Sequence, residues 1–201
     1  MIDKNKVIEF FNNQAPFWDE NQIINTGIVE TILDNAGVSA GQRILDVACG
    51  TGVMIPYYLN RNVRSVTGID ISSKMLEIAE TKYASGNVSF FRMDAESEAP
   101  VGEFDVIVIF NAFPHFTNPG RLLKNLSSVL APGGVLTVAH GMSREKIDSH
   151  HSGIASEVSN GLPEAEALAE LFSKHLTVTK TVSTGDMYQV VGIKDGEQAE
   201  T

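Results

Sequence analysis

Short apolar runs alternate with amphipathic stretches along most of this chain, which limits it to an α/β fold with a mostly parallel sheet and helices on its faces. Arg43 to Ala48, Ser65 to Asp70, Val88 to Met93, Phe104 to Phe110 and Val135 to His140 read as five strands. Between them, a helix runs to about Asn60, another from a Ser72 cap to about Tyr83, and a third from about Pro119 to Leu130. Pro132-Gly133-Gly134 reads as a turn feeding the fifth strand.

The two ends depart from this rhythm. Asp3 is a fitting N-cap for a helix through about Asn13, with Val7, Ile8, Phe10 and Phe11 on its apolar side, and Pro16 breaks it. Ile23, Ile24, Ile28, Ile32 and Leu33 recur at helical spacing before Gly37, which suits a helix end. Ser143 caps a further helical segment, and Pro163 opens another whose Leu168, Leu171 and Phe172 face inward. Leu176 to Val182 alternates, a Gly185-Asp186 turn follows, and Met187 to Ile193 returns, so the chain closes on an antiparallel hairpin. We expect one domain over 1–201, with 1–37 a helical cap, 38–194 the α/β core and a polar tail after Ile193.

Charge and cysteine use narrow the function classes. A net charge of -10 repels phosphate backbones and anionic membranes, so neither nucleic acid nor membrane is an expected partner. The single cysteine, Cys49, cannot form an intrachain disulfide and suits a reducing compartment. Met1 to Lys6 lacks the apolar core of a signal peptide, and no apolar run approaches the roughly 20 residues that span a bilayer. The expected location is the cytoplasm, as a monomer or homodimer.

A doubly wound sheet binds ligands at the carboxyl ends of its strands, so the residues that follow each strand carry the chemistry. After the first strand comes Ala48-Cys49-Gly50-Thr51-Gly52, small enough to turn sharply and to bring backbone amides against a ligand. After the second comes Asp70, about 20 positions past that loop and placed to accept from ribose hydroxyls. After the third come Asp94, Ala95 and Glu96, where a carboxylate reaches an exocyclic adenine amine. Asp46, inside the first strand, is a buried carboxylate that needs a partner, either the glycine loop or the amino group of a ligand through water. Each acid has a plain alternative as a cap or a solvated loop residue; three in succession are more specific than any one.

Ile44 to Gly52 resembles the first motif of the class I S-adenosylmethionine-dependent methyltransferases. Gly68-Ile69-Asp70-Ile71-Ser72, followed by Lys74-Met75-Leu76, resembles their second-strand acidic motif, and Asp94-Ala95 their adenine motif. Phe104-Asp105-Val106-Ile107 and Leu130-Ala131-Pro132-Gly133-Gly134 are similar to their fourth strand and the turn before the fifth, and the terminal hairpin is similar to the end of their sheet. The resemblance covers about Asn13 to Ile193, with Ala48 standing where many members carry glycine. It implies a Rossmann-like doubly wound sheet, preceded by N-terminal helices and closed by an antiparallel hairpin strand. It further implies S-adenosylmethionine as cofactor. Gly50 and Gly52 would shape the pocket for its amino-acid end, beside Asp46 and Ala48. Asp70 would hold the ribose, and Ile71 and Met75 would pack around the adenine. Asp94 would meet the adenine amine beside the Ala95 amide, with Asn111 near the methionine moiety. Phe17 and Trp18 would form a lid or else belong to the core.

A nicotinamide-dependent oxidoreductase is the competing enzyme. Its fingerprint needs a third small residue where Val53 stands, and it leaves Asp46, Asp94-Ala95 and the antiparallel end unexplained. The fourth-strand loop, Asn111-Ala112-Phe113-Pro114-His115-Phe116, is not the Asn-Pro-Pro-aromatic motif of amide- and adenine-nitrogen methyltransferases. A small-molecule methyl acceptor is therefore expected; a protein or RNA substrate and a non-catalytic S-adenosylmethionine sensor are the alternatives. Four of the five histidines, His115, His140, His150 and His151, fall near the ligand edge, and His175 does not. His115 and His140 are the expected catalytic pair, one of them a base. No metal is assigned, although several of these histidines could instead hold zinc, or serve only as polar loop residues. Arg144 has two readings, an acidic substrate group or a solvated helix face; Cys49 reads as a small filler.

Overall fold

The computed structural model describes residues 2–83, 86–150 and 157–196. Seven strands form one sheet in the order β3-β2-β1-β4-β5-β7-β6. β1 (Arg43–Val47), β2 (Ser65–Asp70), β3 (Val88–Arg92), β4 (Phe104–Phe110) and β5 (Leu130–His140) run parallel. β6 (Thr177–Ser183) and β7 (Tyr188–Ile193) form the expected hairpin, and β7 inserts antiparallel between β5 and β6. Strand order reverses between β1 and β4, which opens a crevice above their carboxyl ends.

Alternation along the strands sends successive side chains to opposite faces. Leu45, Val47, Ile107, Ile109, Leu136 and Val138 share a core with α6 (Pro119–Ser128), α7 (Arg144–His150) and α8 (Ala165–Phe172). Ile44, Val66, Val106 and Val108 pack on the other face against α3 (Thr26–Asn35) and α4 (Ile55–Asn60). Burying half a dozen such side chains on each face contributes about 1.5–3 kcal/mol apiece before entropy opposes it. Buried Gln189 also ties α3 to the sheet: its amide donates to the Ile32 carbonyl at 3.0 Å and Thr137 Oγ1 at 3.1 Å, and its carbonyl accepts from Asn35 at 2.8 Å.

Three sequence expectations shift. Ile23 and Ile24 precede α3 instead of joining it, and Ile23 is 95% exposed, because Asn25 caps the helix by accepting from the Ile28 amide. Pro132-Gly133-Gly134 lies within β5 as an irregularity, Phe104 pairing with Leu130 but Val106 with Val135, and the extra residues bend the strand instead of ending it. Of the stretch 1–37, α1 (Lys4–Gln14), α2 (Trp18–Asn21) and Gln22 after it supply residues over the crevice, whereas Val29, Ile32 and Leu33 of α3 belong to the core. Among the described residues no helix is long and apolar enough to cross a membrane.

Candidate donor and acceptor site

The loop after β1 is built on left-handed backbone. Ala48, Gly50 and Gly52 have φ of 55°, 56° and 85°, and Asn111, just past β4, has φ of 54°. Such a conformation costs an L-residue about 1–2 kcal/mol, and two non-glycine examples at neighbouring strand ends mark a strained rim. Asn111 is held there: its amide donates to the Ala139 carbonyl, and its Oδ1 accepts from the Gly141 amide at 2.9 Å.

Asp70 braces this rim from β2. Its Oδ2 accepts from the Gly50 amide at 2.9 Å and its Oδ1 from the Ser72 amide at 2.8 Å. Burial raises its carboxyl to about 6, and the backbone amides offset part of that rise. Asp46 lies deeper. It is 1% exposed, and its Oδ2 has no hydrogen-bond partner among the described residues. Burial, then the nearby Asp70 charge, pushes its carboxyl to about 8, with the Tyr58 hydroxyl opposing. Gly68, opposite Asp46 on β2, leaves room for the loop: a Cβ there would stand 2.6 Å from the Phe90 ring and 2.9 Å from Cys49 Sγ. Cys49 is thus a buried filler, its thiol raised by burial and by the two aspartates.

A hollow opens above, with an empty volume of about 910 Å³ including its mouth. Its floor and sides bring together Ala48, Gly50, Asp70, Ile71, Met75, Asp94, Ala95, Asn111 and His115 from the expected set. Asp94 is held below the usual carboxylate range: burial opposes its charge, but Lys4, Ser97 and the Glu96 amide outweigh that. Its Oδ1 accepts from the Glu96 amide at 3.1 Å. His115 Nδ1 is 2.8 Å from the Val158 carbonyl, which only accepts, so that nitrogen carries the proton. Its ring meets Phe11 edge-on at 4.9 Å, and Phe11 meets Trp18 edge-on at 5.5 Å.

Several expected residues lie elsewhere. Asp46 sits beneath the loop and does not line the hollow. Gly52 serves packing: a Cβ there would be 2.9 Å from the Tyr83 ring. His140 is buried against the Tyr188 ring at 6.0 Å and is not among the lining residues, because β5 stands one strand beyond the β1–β4 crevice and pairs His140 with Tyr188 of β7. Phe17 is 57% exposed and lines nothing, whereas Trp18 does line the hollow. Arg144 donates to the Leu162 carbonyl and pairs with Glu164, which ties α7 to the start of α8. His175 is exposed, His150 ends α7, and His151 lies outside the described residues. Among the described residues, no three His, Cys, Asp or Glu side chains group to hold a metal ion.

Sequence reasoning missed Lys4, Gln22, Met93, Phe110 and Phe116 in the lining, and it read Val7 and Phe11 only as a helix's apolar side. Lys4, Val7 and Phe11 stand at i, i+3 and i+7, one helical face that a core would equally explain.

The residues present suit a nucleoside carrying a cationic amino-acid arm. Asp70 ends β2 and Asp94 follows β3, apolar Ile71 and Met75 flank the former, and a carboxylate oxygen of Asp46, inside β1, lacks a partner among the described residues below. Residues 44–134 match the family described as "Methyltransferase domain". The ubiquinone/menaquinone biosynthesis C-methyltransferase of Campylobacter jejuni is 30% identical over 161 residues, 73% of this chain and 68% of that protein. The chain spans between 49% and 68% of the length of the curated relatives it matches most strongly. Among solved structures, the methyltransferase in complex with the Haloferax volcanii Trm112 activator superposes with a TM-score of 0.81 at 15% identity, covering 98% of this chain and 100% of that one. The N-methyltransferase NodS of Bradyrhizobium japonicum, solved with S-adenosyl-L-homocysteine, gives 0.74 at 15% identity, covering 94% and 98%. At that identity the likeness establishes the fold.

Proposed function

The chain belongs to the class I S-adenosylmethionine-dependent methyltransferases, and we propose that it transfers a methyl group to an uncharged small molecule held beside His115. The observation that carries this reading is the convergence of Gly50, Asp70, Asp94 and His115 on one hollow roofed by aromatic side chains. The donor, when bound, supplies a methyl carbon activated by its sulfonium. What the chain adds is alignment and exclusion of water. Asp70 spends one lone pair of each oxygen on the Gly50 and Ser72 amides and keeps others for the ribose hydroxyls. In this reading Asp94 Oδ1 and the Ala95 amide would meet the adenine edge, and Ile71 and Met75, which also line the hollow, its faces.

The acceptor class follows from the walls. Among the described lining residues Lys4 is the one cation, and it is engaged by Asp94 and Glu96. A carboxylate or phosphate acceptor would therefore meet no unengaged lysine or arginine among the described lining residues, and burying it there would be costly. Phe11, Trp18, Phe110 and Phe116 instead suit a flat or apolar molecule. That the Campylobacter jejuni relative acts in quinone biosynthesis is consistent with this class. A cytoplasmic location fits the lone thiol and the lack of a membrane-crossing helix among the described residues.

The test is an acceptor panel with labelled S-adenosylmethionine, comparing neutral phenols and quinols with aliphatic carboxylates, peptides and RNA. Label entering a neutral ring compound and not a carboxylate is the expected result. Label entering only peptide or RNA, or a bound donor that no acceptor discharges, sinks the small-molecule reading. His115→Ala should then lower kcat/KM by about tenfold to a thousandfold while S-adenosylhomocysteine affinity stays within about threefold. An unchanged kcat/KM would remove His115 from the acceptor side.

A further inference from the structure

Lys4 stands in the first turn of α1 and belongs to no donor motif. Its Nζ lies 2.6 Å from Asp94 Oδ2 and 2.9 Å from Glu96 Oε2, so the head of the lid helix is fastened to the loop after β3. Glu96 is the deeper partner, its side chain 4% exposed, and it also accepts from Thr117 Oγ1 and from the Asn118 amide at the start of α6. One ammonium thus bridges the two carboxylates with charge-assisted contacts.

The lone-pair count shows what that cation leaves open. Asp94 Oδ2 accepts from Lys4 and from Ser97 Oγ, which fills it, while Oδ1 accepts only from the Glu96 amide among the described contacts and keeps a lone pair. Lys4 therefore offsets one of the two negative charges without taking the position assigned to an adenine amine. The far end of α1 is fixed independently, with Asn12 Oδ1 accepting from Ser72 Oγ at 2.8 Å and from the Lys74 amide at 3.3 Å. α2 is fixed by Asp19, which accepts from Thr51 Oγ1 and from Lys82. Of these fastenings, the one at Lys4 ends on residues of the hollow's floor that would touch the bound nucleoside.

We propose that Lys4 is a latch, a positioning residue whose ammonium couples closure of α1 to the Asp94–Glu96 pair and thereby sets how long the donor or its product stays bound. The proposal rests on the donor reading above. Trp18, the chain's one tryptophan, lines the hollow, so its fluorescence reports ligand release in stopped flow. Lys4→Met, which keeps the apolar stem, should speed release of S-adenosylhomocysteine by about tenfold or more, and Lys4→Arg should restore it to within about threefold. In the ligand-free protein, amide exchange across α1 should rise by a similar factor in Lys4→Met while exchange in α6 stays unchanged. Release within twofold of the unmutated protein, or faster release with unaltered α1 exchange, overturns the proposal. If the unmutated protein binds no S-adenosylhomocysteine, the donor reading falls, and the exchange comparison alone still decides whether Lys4 fastens the helix.

Discussion

Asp70→Ala is expected to reduce affinity for S-adenosylhomocysteine by about 100-fold or more, roughly 3 kcal/mol, because one side chain both accepts from the ligand and holds the loop that cradles it. With the carboxylate gone, the Gly50 and Ser72 amides lose their acceptors, and Gly50 loses the contact that fixes its left-handed turn. Asp70→Asn is not a mild substitute. Both native oxygens accept from backbone amides, so the new amide nitrogen must face one of two N–H donors. The carboxyl titrates near 6 in the free protein, and only its ionised form offers every lone pair. Affinity should therefore fall more steeply as pH drops below about 6, by an added factor approaching tenfold per pH unit, and this added fall should be absent in Asp70→Asn, which keeps only the dependence that Asp46, near 8, imparts. Calorimetric titration between pH 5 and 8 checks it. A pH-independent affinity in the unmutated protein would separate Asp70 from the ligand.

Asp46→Asn is expected to stabilise the ligand-free fold at alkaline pH and to weaken donor binding. The sign follows from linkage. The folded carboxyl, near 8, lies above its ordinary 3.8, so the folded state holds the proton more tightly than the unfolded chain. The resulting stability is fully present below about 4 and is lost as pH rises through 8. Asparagine stays neutral and escapes that loss. The gain in unfolding free energy over the unmutated protein, seen as a higher Tm, should thus be small at pH 5 and grow toward pH 9, reaching about 1–3 kcal/mol once relaxation around the charge is allowed for. Asp70, raised to about 6, adds a smaller change of the same sign in both proteins. A retained buried carboxylate that destabilises its own fold is explicable if its charge serves the cationic end of the donor. The variant should then bind S-adenosylmethionine at least about tenfold more weakly. Equal stability profiles across this pH range would show that Asp46 is not a source of strain.

The parallel half of the sheet was legible because strands buried on both faces read as unbroken apolar runs, as Val106 to Phe110 does. The hairpin was legible because β6 alternates and a Gly-Asp pair follows it. The donor side was legible for the same reason: strand ends are sequence-local, and Asp70 and Asp94 sit where β2 and β3 stop. What failed was anything set by direction or by distance in the chain. His140 ends β5 as expected, but β5 lies one strand beyond the β1–β4 crevice and pairs it with Tyr188 of β7. Glu96 reads as one more loop acid until Lys4, 92 residues earlier, is folded onto it. Phe11 reads as core until α1 is seen to lie over the hollow. Gly52 reads as a pocket residue, yet the packing of Tyr83 accounts for it.

Titration of the unmutated protein with S-adenosylhomocysteine, followed by heat and by Trp18 fluorescence in parallel, should reveal a single saturable site per chain in the micromolar range or tighter, with both signals saturating together and both weakened by about 100-fold in Asp70→Ala. No heat and no fluorescence change at about 1 mM ligand would contradict it, as would binding that Asp70→Ala leaves intact.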